Sequence, residues 1–179
     1  MAESFTNSVT SAAGIVTSTS AGAIGITTNK ITGISTVGIA VSDLVDTTNY
    51  ILGTKIQSVG ASQVVCDRDS TNTSASTSQS IKFLGPTTAY TSASGNKSIL
   101  VGGTFANNTG NEVNVTVTLY DNSAGTEVGI AQKIPVPNGS SFVISDAGKT
   151  VMESLDQIVV YCDTANAIDA TLSVLKGVS

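Results

Sequence analysis

The sequence predicts an all-β protein: two small antiparallel β-sandwich or barrel-like domains preceded by an extended N-terminal arm. Three observations carry that expectation. Apolar and polar residues alternate with period two over many short runs, and a strand points successive side chains to opposite faces. Of 179 residues, 49 are Ser or Thr, and β-branched side chains suit a pleated surface. Clusters of Gly, Asn, Asp and Ser interrupt the runs at roughly the 8–12-residue spacing of a sandwich.

Residues 1–30 are a low-complexity lead of Ser, Thr, Ala and Gly. Phe5 is the one large anchor, and Ile15, Val16, Ile24 and Ile26 stand apart from one another. Such a segment carries too little apolar surface to fold alone. Its β-branched content predicts an arm that becomes ordered by adding a strand to a neighbour, with those five residues as candidate assembly contacts. A disordered tail is the alternative. Extended, an arm of ~30 residues reaches up to ~100 Å, enough to staple adjacent subunits.

A small β domain is expected over residues 31–85. Ile31, Ile34, Val37, Ile39 and Val41 lead into Leu44-Val45, Tyr50-Ile51-Leu52, Gln63-Val64-Val65-Cys66 and Ile81-Lys82-Phe83. These read as four short strands with turns at Asn49, Gly53, Gly60 and 67–80. The span 70–80 has no apolar residue beyond Ala75 and predicts an exposed loop, flexible or available for contact. Gly85-Pro86 marks the junction with the next domain, because Pro restricts the chain and removes a donor.

The third segment, 86–179, is expected to be a β-sandwich. Ile99, Val101 and Phe105 alternate before the Asn107–Asn111 break, and Val113, Val115, Val117 and Leu119 alternate after it. Lys97–Asp121 is therefore predicted to be a β-hairpin. Asn138-Gly139 signals a turn, and Pro135 and Pro137 suit a sheet edge. Gln157–Cys162 and Ile168–Leu175 read as two closing strands.

Charge and chemistry narrow the function. Charged residues make up 12% of the chain, about half the usual share near ~25%. A surface this poor in charge is typical of proteins packed against neighbours, an unusually neutral monomer being the alternative. Net charge is −5 with no Lys/Arg cluster, so the footprint of a nucleic-acid binder is missing. No long apolar run or leader pattern predicts a membrane span or secretion, and a soluble cytosolic product is expected. With no His, Ser-His and Cys-His nucleophile pairs are excluded. Asp43, Asp46, Asp67, Asp69, Asp156 and Asp163 could pair across strands, but most lie where turns are expected and are read as caps of backbone amides. Asp67-Arg68-Asp69 could bind a cation or form a surface ion pair; the pair is the preferred reading, and it is worth little in water. Cys66 and Cys162 are too far apart in sequence for a zinc pattern and are expected to be free, buried thiols. No cofactor, metal or enzymatic activity is expected.

Two stretches carry a resemblance. Leu44-Val45, Tyr50-Ile51, Gly53-Thr54-Lys55-Ile56, Val59, Val64-Val65 and Ile81-Lys82-Phe83 resemble a repeat of phage fibre-like and virion surface proteins. Ser98–Gly102, Ala106–Thr109, Val113–Val117, Ile134–Ser141, Lys149–Met152, Leu155–Val160 and Ala170–Leu175 resemble a β-sandwich module of tailed-phage structural proteins, marine and cyanobacterial phages included. The resemblance implies a non-enzymatic virion protein assembled in the host cytoplasm, a homo-oligomer whose partners are its own copies and phage capsid or tail proteins. A capsid-decorating (cement) protein is the leading expectation, with a neck, collar or tail component close behind. The alternative is a fibre-type adaptor or receptor-binding module for host-surface glycan. For that reading Tyr120 and Tyr161, on the polar side of their strands, are the candidate recognition residues; cross-strand packing is the competing role.

Overall fold

The computed structural model describes residues 3–145 and 149–178. Among them the regular structure is all strand, with every pairing antiparallel. The all-β expectation therefore holds. The chain forms two compact units: unit 1 joins residues up to Gly14 with those from Thr87 onward, and unit 2 is Ile15–Pro86.

Strand β1 (Ser4–Ala13) belongs to unit 1. Unit 2 holds β2 (Ile15–Ile24), β3 (Lys30–Thr32), β4 (Leu44–Asp46), β5 (Ile56–Val59), β6 (Gln63–Cys66) and β7 (Ser76–Gly85). Unit 1 resumes with β8 (Thr87–Thr91), β9 (Lys97–Asn107), β10 (Val113–Asp121) and β11 (Thr126–Val136). It ends with β12 (Ser141–Ile144), β13 (Thr150–Met152), β14 (Gln157–Cys162) and β15 (Ile168–Val178).

Unit 1 is a two-layer sandwich. One sheet runs β1-β15-β9-β12, with β13 also on β9, and the other runs β11-β10-β14-β8. Alternate residues of both sheets enter one core: Phe105 and Leu100 of β9, Ile168, Ala170, Leu172 and Val174 of β15, against Val113, Val115 and Val117 of β10 and Ile158, Val160 and Cys162 of β14. In β9 a register shift leaves Val101 without a partner on β15 and resets the phase, so Ile99 does not share the face of Phe105 as the alternation predicted. Gly103 lies on this inner side because a Cβ there would stand 2.6 Å from Leu172 Cδ2. The leucine fills the space that a side chain would need.

Two expectations are corrected in unit 1. Lys97–Asp121 is not a hairpin: β9 and β10 form where expected but lie in opposite sheets. Alternation reports that a strand has one buried face, and two strands facing across a core satisfy it as well as two strands paired edge to edge. Asn107 holds the crossing, its Nδ2 donating to the carbonyls of Asn111 (2.7 Å) and Val136 (2.9 Å) while its Oδ1 accepts from Thr109 N (2.8 Å). Nor is 1–30 an arm. Residues 4–10 pair in register with 170–176 of β15, and residues 15–24 pair with β7 of unit 2. A segment too poor in apolar surface to fold alone is stabilised here by ladders to its own chain. Gly14 separates the two strands at φ +127, where a Cβ would meet Thr164 O at 2.4 Å, so only glycine fits.

Unit 2 is a six-stranded sheet in the order β4-β7-β2-β3-β6-β5. Its end strands approach through a single bridge between Leu44 and Lys55, beside bonds from Val45 N to Thr54 O (2.9 Å) and Ile56 N to Asp43 O (3.0 Å). The sheet thereby curls around Ile24, Ile31, Val45, Tyr50, Ile56, Val64, Cys66, Ile81 and Phe83. Burial pushes the Cys66 thiol up to about 11, so it is a neutral core group at physiological pH. The expected exposed loop over 70–80 is shorter than predicted, because β7 begins at Ser76. Ser70 is buried, its hydroxyl donating to Gly25 O (3.0 Å) and accepting from Thr28 N (3.1 Å).

Candidate interaction face

The side of the five-stranded sheet that faces away from the core carries several exposed apolar side chains among polar ones. β9 contains the unbroken run Ile99-Leu100-Val101, and such a run offers apolar side chains to both faces of a sheet. Leu100 takes the core side and Ile99 the outer side. Register then aligns a row across four strands: Val151 of β13 opposite Ile99, Ile99 opposite Leu175 of β15, and Leu175 opposite Phe5 of β1. A second row runs from Val143 of β12 through Thr104 and Thr171 to Val9. Phe5 and Val9 are each 75% exposed, and Val143 and Val151 each 54%. Between the rows, Ser173 Oγ donates to Asn7 Oδ1 at 3.3 Å. Two outward positions on these strands carry a charge: Asp169, whose Oδ1 accepts from Ala12 N at 2.9 Å, and Lys97, two residues before Ile99, whose Nζ lies 3.2 Å from Glu153 Oε1.

This sheet also ends in an open edge. β1 has ten residues, contains no Pro and no charge, and pairs on one side only, with β15. The other long outer strand, β11, is guarded by Lys133, Pro135 and two register shifts in its pairing with β10. β8, β12 and β13 are outer or partial strands of five, four and three residues.

The outer side of the four-stranded sheet is built differently. Thr116, Thr118, Val159 and Tyr161 point away from the core yet are buried. Tyr161 OH donates to Glu127 Oε1 at 3.0 Å, and Thr118 Oγ1 donates to the same oxygen. Thr116 Oγ1 accepts from Lys133 N at 2.9 Å. Tyr161 is thus not a surface recognition residue, which corrects the sequence reading. A buried tyrosine hydroxyl needs a hydrogen-bond partner, and Glu127 supplies it. Tyr120 lies on the same face and is half-buried.

The five candidate assembly contacts are dispersed. Phe5 lies on the outer face of unit 1, whereas Ile15, Val16, Ile24 and Ile26 belong to unit 2. Ile15 and Ile26 are exposed and Val16 is half-buried. Ile24 is 1% exposed in the unit 2 core and unavailable for contact, a second correction, made because β2 is an inner strand between β7 and β3. Sequence reading missed Val9, Ile99, Val143, Val151 and Leu175. The runs Ile99-Leu100-Val101 and Val174-Leu175 were the available signal for an apolar second face.

Four of the six candidate carboxylates hold backbone amides. Asp43 Oδ2 accepts from Ala40 N (2.9 Å), and burial holds its carboxyl above the usual range despite that bond. Asp67 Oδ1 accepts from Lys55 N (2.9 Å), and its Oδ2 lies 3.6 Å from Arg68 Nε in an exposed ion pair. Asp156 accepts from Glu153 N and Asn122 N, and Asp163 from Asn114 N. Among the described residues no group of three or more His, Cys, Asp or Glu could hold a metal ion.

No protein-family model, curated protein or solved structure matches the chain. The likeness to phage modules therefore rests on the residues quoted for it and on no independent match.

Proposed function

We propose that this chain is a non-enzymatic structural protein of a tailed-phage particle, a capsid-decorating (cement) protein that acts by burying surface against its own copies and the shell. The observation that carries the reading is the outer face of the five-stranded sheet, where Phe5, Leu175, Ile99 and Val151 form one aligned apolar row and Val9 and Val143 end a second that runs through two threonines. Contiguous exposed apolar surface marks an interaction site in a soluble protein. Four of the six candidate carboxylates, Asp43, Asp67, Asp156 and Asp163, accept from backbone amides, which supports a structural over a catalytic role for them. The glycan reading keeps only Tyr120, since Tyr161 is buried. An aromatic platform therefore does not support it.

The test is co-sedimentation of the purified chain with empty tailed-phage shells lacking their decoration protein. Saturable binding, with a rise in the temperature at which the shells disrupt, is the expected result. Binding to isolated tails or necks in place of shells would move the protein to that part of the particle. No binding to any of the three would overturn the virion reading.

A further inference from the structure

We propose that β1 is a self-pairing edge: two copies of this chain join antiparallel through Ser4–Thr10 about a two-fold axis at Asn7, fusing their five-stranded sheets into one. The inference deepens the structural reading above by naming the partner and the register, and it rests on that reading for its biological setting only.

The argument begins with the ladder. Pairing with β15 is regular from Ser4 to Thr10 and breaks between Thr10 and Ala13. The regular segment is seven residues long, so its midpoint is Asn7. An antiparallel pair centred there places each residue opposite the one whose number completes fourteen. Phe5 then faces Val9 of the second copy, Ser4 faces Thr10, Thr6 faces Ser8, and Asn7 faces itself. The two most exposed apolar side chains of the sandwich become cross-strand partners twice over, on the outer face that already carries the apolar rows. Aromatic opposite β-branched is a favourable cross-strand pair. Each row of one copy continues into the other: Val151-Ile99-Leu175-Phe5 meets Val9-Thr171-Thr104-Val143.

Charge selects the occupant. The chain carries −5, so copies repel unless they meet where charge is absent. Ser4–Ala13 has none; Glu3, the nearest acid in sequence, would face the uncharged Ser11, and Asp169 lies against Ala12, beyond the paired Ser4–Thr10. A basic or acidic partner finds no counter-charge on this strand. A second copy finds a surface complementary to itself, as a two-fold interface requires. The free main-chain edge supplies the ladder.

Three full-length variants test the register. Asn7→Cys places a thiol on the axis, within the roughly 4.4–6.8 Å Cα separation of a disulfide, whereas Val9→Cys thiols of two copies lie about four residues, ~13 Å, apart. Cys66 and Cys162 are buried and do not compete. Under mild oxidation Asn7→Cys is expected to cross-link into dimers and Val9→Cys is not. Phe5→Lys combined with Val9→Lys sets introduced lysines opposite each other and is expected to be monomeric by light scattering, with an unchanged circular dichroism spectrum. Mixing it with the Phe5→Glu, Val9→Glu variant is expected to restore the dimer mass. A wild-type mass of one chain at 100 μM, or a dimer that Asn7→Cys fails to trap, overturns the proposal. If the lysine variant unfolds, the cysteine pair decides alone. Shell binding by a monomeric wild type would leave the structural reading standing and this inference fallen. A trapped dimer that binds neither shells, tails nor necks would do the reverse.

Discussion

On the four-stranded sheet of unit 1, the residues facing away from the core, Thr116, Thr118, Val159 and Tyr161, are buried, and both threonines and the tyrosine are hydrogen-bonded. On the five-stranded sheet their counterparts Phe5, Val9, Val143 and Val151 are more than half exposed. Hydroxyls are covered where apolar side chains would serve, and apolar side chains face water where hydroxyls would serve. The edges follow the same division, β11 guarded by Lys133 and Pro135 and β1 open. On the covered face burial requires the hydroxyls to be hydrogen-bonded, and those bonds help order the sheet. The exposed face contributes little to the single chain and is the surface that the proposed association would bury.

Substitutions can break this contrast, and the largest effect sets its scale. Phe105 is fully buried between the sheets and stacks near Phe142, ring centroids 6.0 Å apart. Phe105→Ala removes support from both faces at once and is expected to cost about 3–5 kcal/mol in urea unfolding. A loss below 1 kcal/mol would mean that the two sheets do not share one core.

Tyr161→Phe comes next. It deletes the hydroxyl that donates to Glu127 while keeping the ring, and a loss of about 1 kcal/mol is expected. The matching change on the other face is Val151→Thr, at a 54% exposed position. That change is expected to move stability by less than about 0.5 kcal/mol and to weaken association instead. Equal stability losses from the two would erase the distinction between a structural face and an interaction face.

How far the sequence announced this contrast can be traced through particular residues. The strands themselves were legible: β14 occupies the expected Gln157–Cys162, and β9 and β10 flank the Asn107–Asn111 break as the alternation requires. Their pairing was not, because the same alternation serves strands that face each other and strands that lie side by side. β1 and β2 were hidden for a different reason. Their Ser/Thr/Ala composition lacks the apolar weight of a free-standing strand, and the partners that order them lie far along the chain, residues 170–176 for β1 and residues 76–85 for β2. The candidate face was half visible. Phe5 stood out as a large side chain without local company, but its row with Leu175, Ile99 and Val151 exists only once the register is known. Tyr161 misled because strand polarity predicts the side on which a residue lies, not whether that side is covered.

The smallest effect sharpens the contrast by acidity. Asp121 closes the β10–β11 hairpin, its Oδ1 accepting from Ser123 N (2.9 Å), Ser123 Oγ (2.8 Å) and Ala124 N (2.9 Å). The backbone bond from Ala124, followed by the Ser123 hydroxyl, holds its carboxyl below the ordinary value of 3.8. A depressed folded value means that the ionised form is favoured by folding. Its contribution is therefore present above pH 3.8 and is lost as pH falls through the lower folded value. Asp121→Asn keeps an acceptor but removes the charge. Wild type is expected to melt slightly above the variant at pH 5–6, with the gap closing towards pH 2, and amide exchange at Ser123 and Ala124 is expected to quicken over the same range. A gap that stays constant with pH would show that geometry, not charge, holds this hairpin. Acid sensitivity at the guarded sheet would then lose its assigned source, and the contrast between the two faces would rest on burial alone.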